Sequence, residues 1–77
     1  MSQHFQSVPT ILRRKLVEQR TGLARSTIYD KMSEKSPRYD PSFPTPINLG
    51  PNSIGWIEAE VNAWIESRMQ ARCQGEQ

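Results

Sequence analysis

The sequence predicts a small, mainly α-helical domain that contains a helix-turn-helix and one β-hairpin. Residues 21–29 (TGLARSTIY) combine a glycine that can end one helix with a polar first turn for the next helix. Five of the six prolines lie between residues 37 and 51, which excludes helix there and favours strands and turns. Apolar residues at helical spacing then predict a closing helix, at Ile57, Val61, Trp64 and Ile65.

Length and cysteine content limit the class of protein. A chain of 77 residues has room for one domain with a thin core. The single cysteine, Cys73, cannot form an internal disulfide, and no stretch resembles a signal peptide or a transmembrane span. We therefore expect a protein of the reducing cytoplasm that has no membrane partner.

The residues needed for catalysis or metal binding are missing from the sequence. There is no phosphate-binding glycine loop, no pair of closely spaced cysteines and no histidine near a nucleophile. The one histidine, His4, has no cysteine or carboxylate cluster around it. We predict that the protein is not an enzyme and uses no cofactor or metal ion.

Positive charge is concentrated in the first half of the chain, although the net charge is only +2. Residues 1–35 carry seven Lys or Arg against three acidic residues, whereas residues 36–77 carry three Arg against five acidic residues. A binding surface for DNA phosphates would show this distribution. A solvated basic surface is the alternative interpretation.

An arm and a scaffold helix are predicted before the turn. Residues 1–10 show no apolar period and are expected to form a flexible arm, with Thr10 as a helix cap. The first helix is expected over residues 11–21 and should end at Gly22. Its inward face is predicted to consist of Ile11, Leu12, Leu16 and Val17.

The second helix, expected from about residue 25 to 33, is the predicted contact with double-stranded DNA. Leu23, Ile28 and Met32 would point inward and leave the polar side chains outward. Cationic and hydroxylic side chains in the first turns of a helix can bind phosphates and base edges in the major groove. The predicted contacts on and around this helix are Arg25, Ser26, Thr27, Tyr29, Lys31, Arg14 and Lys35.

Asp30 on the same helix leaves two interpretations open, because a carboxylate that faces DNA repels phosphate. It either accepts a hydrogen bond from a cytosine amino group or pairs with a neighbouring cation such as Arg25 or Lys31. Pairing is the favoured interpretation.

The proline-rich region is predicted to contain a loop and then the hairpin. Residues 36–42 form either a passive surface loop, which we favour, or an extra contact with DNA or a protein through Arg38 and Tyr39. Strands are expected over residues 43–49 and 54–56, around a turn. Each strand should lay one side on the helices, through Ile47 and Leu49 in the first strand and Ile54 and Trp56 in the second.

The last helix is expected from residue 58 to 72, followed by a C-terminal tail of residues 73–77. Acidic residues in its first turn and arginines near its end suit the helix dipole. Trp56 and Trp64 are expected in the core, because a small domain needs their apolar area.

Three stretches in this order resemble the AlpA-like and excisionase-like family of small phage regulators. They are TGLARSTIY at residues 21–29, FPTPINLG at residues 43–50 and WIEAEVNAWIESR at residues 56–68. The resemblance implies a MerR-like winged helix-turn-helix over residues 11–72, in which the hairpin is the wing.

The chain departs from the family pattern at three places besides its longer 36–42 loop. Ala24 stands where the family usually has a capping residue such as serine, which removes about 1 kcal/mol of helix capping. Many members carry Arg or Lys at the position of Asp30. In the family, the wing often carries arginines that bind the DNA backbone, whereas this chain has Asn52, Ser53 and Gly55 there. We therefore expect the wing to contact the DNA backbone through the amide of Asn52 and the hydroxyl of Ser53.

The resemblance implies a sequence-specific DNA-binding protein that acts as a phage or prophage-type transcriptional regulator. One alternative is an excisionase that bends attachment-site DNA. Another is a protein-interaction module that has lost DNA binding, which Asp30, Gly55 and the low net charge favour. Integrase and RNA polymerase are the candidate protein partners, and so small a protein is expected to bind DNA as a homodimer or in tandem.

Overall fold

A three-stranded antiparallel sheet and three helices make up the fold of residues 9–75, the part of the chain that the computed structural model describes. The strand order is β1-β3-β2, so that β3 is central. A helix-turn-helix precedes a hairpin wing, and this is the winged helix-turn-helix that the sequence predicts. In chain order the elements are β1 Ile11–Leu12, α1 Arg14–Thr21, α2 Arg25–Met32, β2 Ile47–Gly50, β3 Ser53–Ile57 and α3 Glu58–Gly75.

The core is centred on Trp56 of β3, which is fully buried. Leu12 lies opposite Trp56 in the β1–β3 pairing, and helices α1 and α3 pack against the same strand. Both tryptophans are in the core as predicted, and each brings the large apolar area that a small domain needs. The buried apolar residues are Leu12, Val17, Ile28, Phe43, Trp56, Val61 and Trp64.

The first two residues of the predicted first helix form strand β1 instead. Leu12 pairs with Trp56 and is only 2% exposed, because the strand conformation directs its side chain into the core. The Glu58 amide donates a hydrogen bond of 2.8 Å to the Thr10 carbonyl, so Thr10 extends the pairing and does not cap a helix. Residues 1–8 of the predicted arm lie outside the described residues, so their flexibility stays a prediction.

Helix α1 is consequently only eight residues long and buries a narrow face. Val17 is fully buried, whereas Leu16 is 43% exposed, so the prediction that Leu16 points inward is wrong. Leu16 and Val17 point about 100° apart because they are neighbours in a helix. A helix of two turns that packs on β3 can therefore bury Val17 but leaves Leu16 exposed. The helix ends at Gly22 as predicted, where the glycine has φ 75° and its amide donates to the Glu18 carbonyl at 2.8 Å.

The register of the wing decides which of its apolar side chains face the core. Ile47 lies opposite Gly55, and residues that lie opposite one another in an antiparallel pair share a face. Ile54 and Trp56 alternate with Gly55 and therefore face the core. The prediction that Ile47 and Leu49 pack on the helices is wrong, because both lie on the outer face, with 38% and 45% exposure.

Strand β2 also begins later than the predicted residue 43. Phe43 belongs to the loop before the strand, is 5% exposed and packs edge-on against Trp64, with ring centroids 5.0 Å apart. An aromatic pair of this geometry contributes about 1 kcal/mol beyond its buried area. Core packing of Phe43 therefore takes precedence over strand pairing at this position.

Helix α3 begins at Glu58 as predicted but continues to Gly75, three residues beyond the predicted end. Residues 73–75 of the predicted tail are thus helical, and residues 76 and 77 lie outside the described range. None of the helices within residues 9–75 combines the length and apolarity needed to cross a bilayer.

Gly55→Ala is expected to destabilise the domain by about 1–3 kcal/mol, because overpacking displaces neighbouring atoms. A Cβ atom at Gly55 would clash with Cγ2 of Ile11 and lie 3.3 Å from the Leu12 carbonyl oxygen. Denaturant unfolding measures the loss. In an Ile11→Ala background the loss should be smaller, since the clashing methyl group is gone; an equal loss in both backgrounds would contradict this explanation.

Candidate nucleic-acid interface

Helix α2 presents a polar face to solvent on the side away from the core. Ile28 is fully buried, and Ser26 and Asp30 lie about 200° from it around the helix. Arg25 lies beside Tyr29 one turn later, with its guanidinium carbon 5.7 Å from the centre of the phenol ring. The structure therefore brings together the predicted contacts Arg25, Ser26 and Tyr29 on one exposed surface, with Thr27 half-buried at its margin.

Side-chain hydrogen bonds of Thr21 hold the turn between α1 and α2. Its hydroxyl donates to the Val17 carbonyl at 2.7 Å and accepts from the Leu23 amide at 3.2 Å. Leu23 is half-buried and packs against the core, as predicted. These contacts set the direction in which α2 leaves the turn.

Ala24 is the N-cap residue of α2 and makes no side-chain capping bond. Its backbone is extended, with φ −74° and ψ 161°, and its carbonyl accepts the first helical hydrogen bond from Ile28 at 3.0 Å. The geometry is that of an ordinary N-cap, so only the side-chain acceptor is missing. This confirms the loss of capping expected from the sequence.

Asp30 pairs with Arg38, a residue of the loop between α2 and β2. Oδ2 of Asp30 lies 3.6 Å from Nη1 of Arg38, and the two side chains are 40% and 71% exposed. The prediction that Asp30 pairs with a cation is confirmed, but the cation is Arg38 and neither of the two examples named, Arg25 and Lys31. The sequence could not show that the loop folds back along the outer side of α2.

Asp40 ties this loop to two helices. Its amide donates to the Lys31 carbonyl of α2 at 2.9 Å, and its Oδ2 accepts from the indole N–H of Trp64 in α3 at 3.2 Å. Its Oδ1 accepts from the amide and the hydroxyl of Ser42, at 2.9 and 2.6 Å. The hydrogen bond from the Ser42 hydroxyl is the largest of the effects that lower the pKa of Asp40 below 3.8.

The favoured prediction of a passive loop therefore misses these anchors. The sequence did contain one signal for them, since Asp40 followed by Pro41 and Ser42 is typical of a turn in which an aspartate side chain binds the backbone two residues later. The indole of Trp64 as a donor could not have been foreseen, because it comes from a helix 24 residues away in the chain.

The remaining predicted cations are spread over three elements. Lys31 points back toward the core, with Nζ 5.7 Å from the centre of the Trp64 indole. Arg14 forms an ion pair with Glu18 one turn along α1. Lys35 is exposed in the loop. The exposed face of α2 is thus the only part of the predicted site that the structure assembles within the described residues.

The tip of the wing offers neutral polar groups. Asn52 is exposed and has a left-handed backbone, with φ 58°, and Ser53 donates its hydroxyl to the Pro51 carbonyl at 3.3 Å. No lysine or arginine occurs between residues 47 and 57. A contact of this tip with a DNA backbone would therefore use amide and hydroxyl hydrogen bonds.

Among the side chains of residues 9–72, no three His, Cys, Asp or Glu groups lie close enough to hold a metal ion. His4 falls outside this range, so the prediction that it binds no metal stays a prediction.

The family model that matches the chain and one of its relatives both carry the name AlpA. The family model described as "Prophage CP4-57 regulatory protein (AlpA)" matches residues 10–69. A protein of Escherichia coli strain K12, named "DNA-binding transcriptional activator AlpA", is 53% identical over 62 residues, which is 80% of this chain and 89% of the relative. The "Uncharacterized protein ORF88" of Enterobacteria phage P4 is 35% identical over 54 residues, 70% of this chain and 54% of that protein. No solved structure shows a significant match.

Ala24→Ser is expected to raise the free energy of unfolding by about 1 kcal/mol, because serine supplies the missing acceptor at the helix start. Chemical denaturation measures the gain. Ala63→Ser, the same exchange at an exposed position inside α3, is the matched control and should be slightly destabilising. Equal effects at both positions would rule out the capping explanation.

Asp40→Ala should lower the free energy of unfolding by about 1–2 kcal/mol, since the Trp64 indole loses its acceptor. The folded carboxyl has a lowered pKa, so its contribution is complete above about pH 4 and is lost as the pH falls through the folded value, below 3.8. Thermal unfolding between about pH 7 and pH 2 should show a steeper acid decline for the wild type than for the variant. Parallel declines would show that Asp40 carries no pH-dependent stability.

Proposed function

Because this chain belongs to the AlpA family of prophage regulatory proteins, we propose that it binds a specific double-stranded DNA sequence and regulates transcription. The family match confirms the resemblance found in the sequence. The observation that carries the proposal is the exposed polar face of α2, where Arg25 and Tyr29 lie side by side on a helix anchored by Ile28.

In this proposal α2 is the recognition helix and enters the major groove. Arg25 has the planar fork that binds the O6 and N7 atoms of guanine, while Ser26 and Thr27 can bind either bases or phosphates. Tyr29 is 38% exposed and can donate its hydroxyl to a phosphate. Sequence discrimination would depend mainly on Arg25, and the other side chains would set the register of the helix.

The wing and α1 would supply backbone contacts on either side of the recognition helix. Asn52 at the wing tip can donate to phosphate oxygens, and Ser53 can do so if its hydroxyl turns away from the Pro51 carbonyl. Arg14 can do so only by sharing its guanidinium with Glu18. With few cations in these positions, the non-specific affinity should be modest, and binding as a homodimer or in tandem would add the affinity that one protomer lacks.

Regulation of transcription is the favoured role, because the name of the Escherichia coli relative describes a transcriptional activator. Such a protein would act on DNA in the cytoplasm without catalysis, and RNA polymerase would be its candidate protein partner. An excisionase would use the same surface, with integrase as its partner. Bending of the bound duplex, measured by circular-permutation gel shift together with integrase, would distinguish that role.

Selection of bound duplexes from a random DNA pool tests the proposal. We expect the wild type to enrich one motif and Arg25→Ala to lose it, with a loss of about 1–3 kcal/mol on the selected duplex. Tyr29→Phe should cost less, about 1 kcal/mol, and should keep the motif. No enrichment by the wild type, or unchanged binding by both variants, would contradict the assignment of α2 as the recognition helix.

A further inference from the structure

The geometry around Asp30 points to a DNA contact outside the helix-turn-helix. We propose that Arg38 binds a phosphate of the DNA backbone and that Asp30 is the positioning residue that orients it. This inference rests on the proposed function of α2. It replaces the passive loop favoured from the sequence with a DNA contact through Arg38, because the structure places that side chain beside Asp30.

Arg38 lies where a DNA backbone bordering α2 would pass. Its partner Asp30 is on the side of α2 farthest from buried Ile28, the side that would face the groove. The guanidinium of Arg38 directs Nη1 toward Asp30 across 3.6 Å, and its side chain is 71% exposed. A guanidinium has five N–H donors, so most of them remain available to a second anion.

The loop holds Arg38 in place before any ligand arrives. Arg38 lies in a turn that two hydrogen bonds to Ser36 close. The Tyr39 amide donates to the Ser36 carbonyl at 3.0 Å, and the Arg38 amide donates to the Ser36 hydroxyl at 3.1 Å. Asp40, two residues later, is fixed to both α2 and α3. Binding would therefore order only the arginine side chain, which lowers the entropic cost of the contact.

The charges explain why the pair is useful at this position. Asp30 alone on the recognition helix would repel phosphates, and the low net charge of the protein leaves little to offset that repulsion. An exposed ion pair adds little to stability, so folding alone gives a weak reason for it. A guanidinium held between a carboxylate and a phosphate would bind both anions, and Asp30 would then orient a cation toward the DNA.

Two explanations can be distinguished by removing the charges separately. If Arg38 only neutralises the charge of Asp30, then Asp30→Asn removes that charge, and Arg38→Ala no longer changes the DNA affinity in the Asp30→Asn background. If Arg38 binds phosphate itself, Arg38→Ala weakens binding in both backgrounds. The loss should be smaller in the Asp30→Asn background, because the orienting carboxylate is gone.

The test is a double-mutant cycle of the wild type, Asp30→Asn, Arg38→Ala and the double variant, titrated at several salt concentrations. The probes are the duplex enriched by the wild type and a scrambled duplex. Arg72→Ala is the matched control, because it removes the same charge from an exposed position on α3. Thermal unfolding of each variant checks that the fold is intact.

We expect Arg38→Ala to weaken binding about three- to tenfold on both duplexes. It should also lower the slope of log K against log salt by about one, in both backgrounds, whereas Arg72→Ala should change neither quantity. An Arg38→Ala variant that matches Arg72→Ala, or whose effect disappears with Asp30→Asn, would overturn the inference. Failure of the wild type to distinguish the two duplexes would overturn the proposed function instead, and the salt slope on the scrambled duplex would still decide the role of Arg38.

Discussion

Burial of Trp56 is the interaction on which the rest of the structure depends. Its strand, β3, pairs with β1 on one side and β2 on the other and leads without a loop into α3. Leu12 lies opposite Trp56, and α1 packs on the same strand. The helix-turn-helix and the wing are therefore joined through one buried side chain. Their relative position, which decides how both could reach one DNA duplex, is set by packing and not by the residues that would touch DNA.

Helix α2 depends on this core for its existence. It has eight residues and no side-chain cap, and a helix so short does not form alone in water. Ile28 anchors one side of it, and the hydrogen bond from Asp40 satisfies the Lys31 carbonyl at its end. The side chains on the polar face of α2 are consequently not needed for its stability, because the buried face and the loop supply that stability.

The loop between α2 and β2 extends the candidate interface beyond the helix-turn-helix. Phe43 and Asp40 fasten it to Trp64, one by aromatic packing and the other by a hydrogen bond. This arrangement brings Arg38 to Asp30. In a protein whose wing tip carries no cation, the loop is the element that supplies an exposed arginine beside α2.

Local signals in the sequence determined where the two helices of the helix-turn-helix end and begin, since Gly22 ends α1 and α2 starts directly after the turn, although α2 needs the core to form. They also determined the wing turn and the start of α3, through prolines and helical spacing. Only the tertiary structure decided that residues 11 and 12 form a strand, because an apolar pair suits a helix or a strand until Trp56 is beside it. The tertiary structure likewise decided that Ile47 points outward, because a shift of one residue in the β2–β3 register would place its side chain on the opposite face. The partner of Asp30 was decided in the same way, because ion pairs depend on distance in space and Arg38 becomes a neighbour only when the loop folds back.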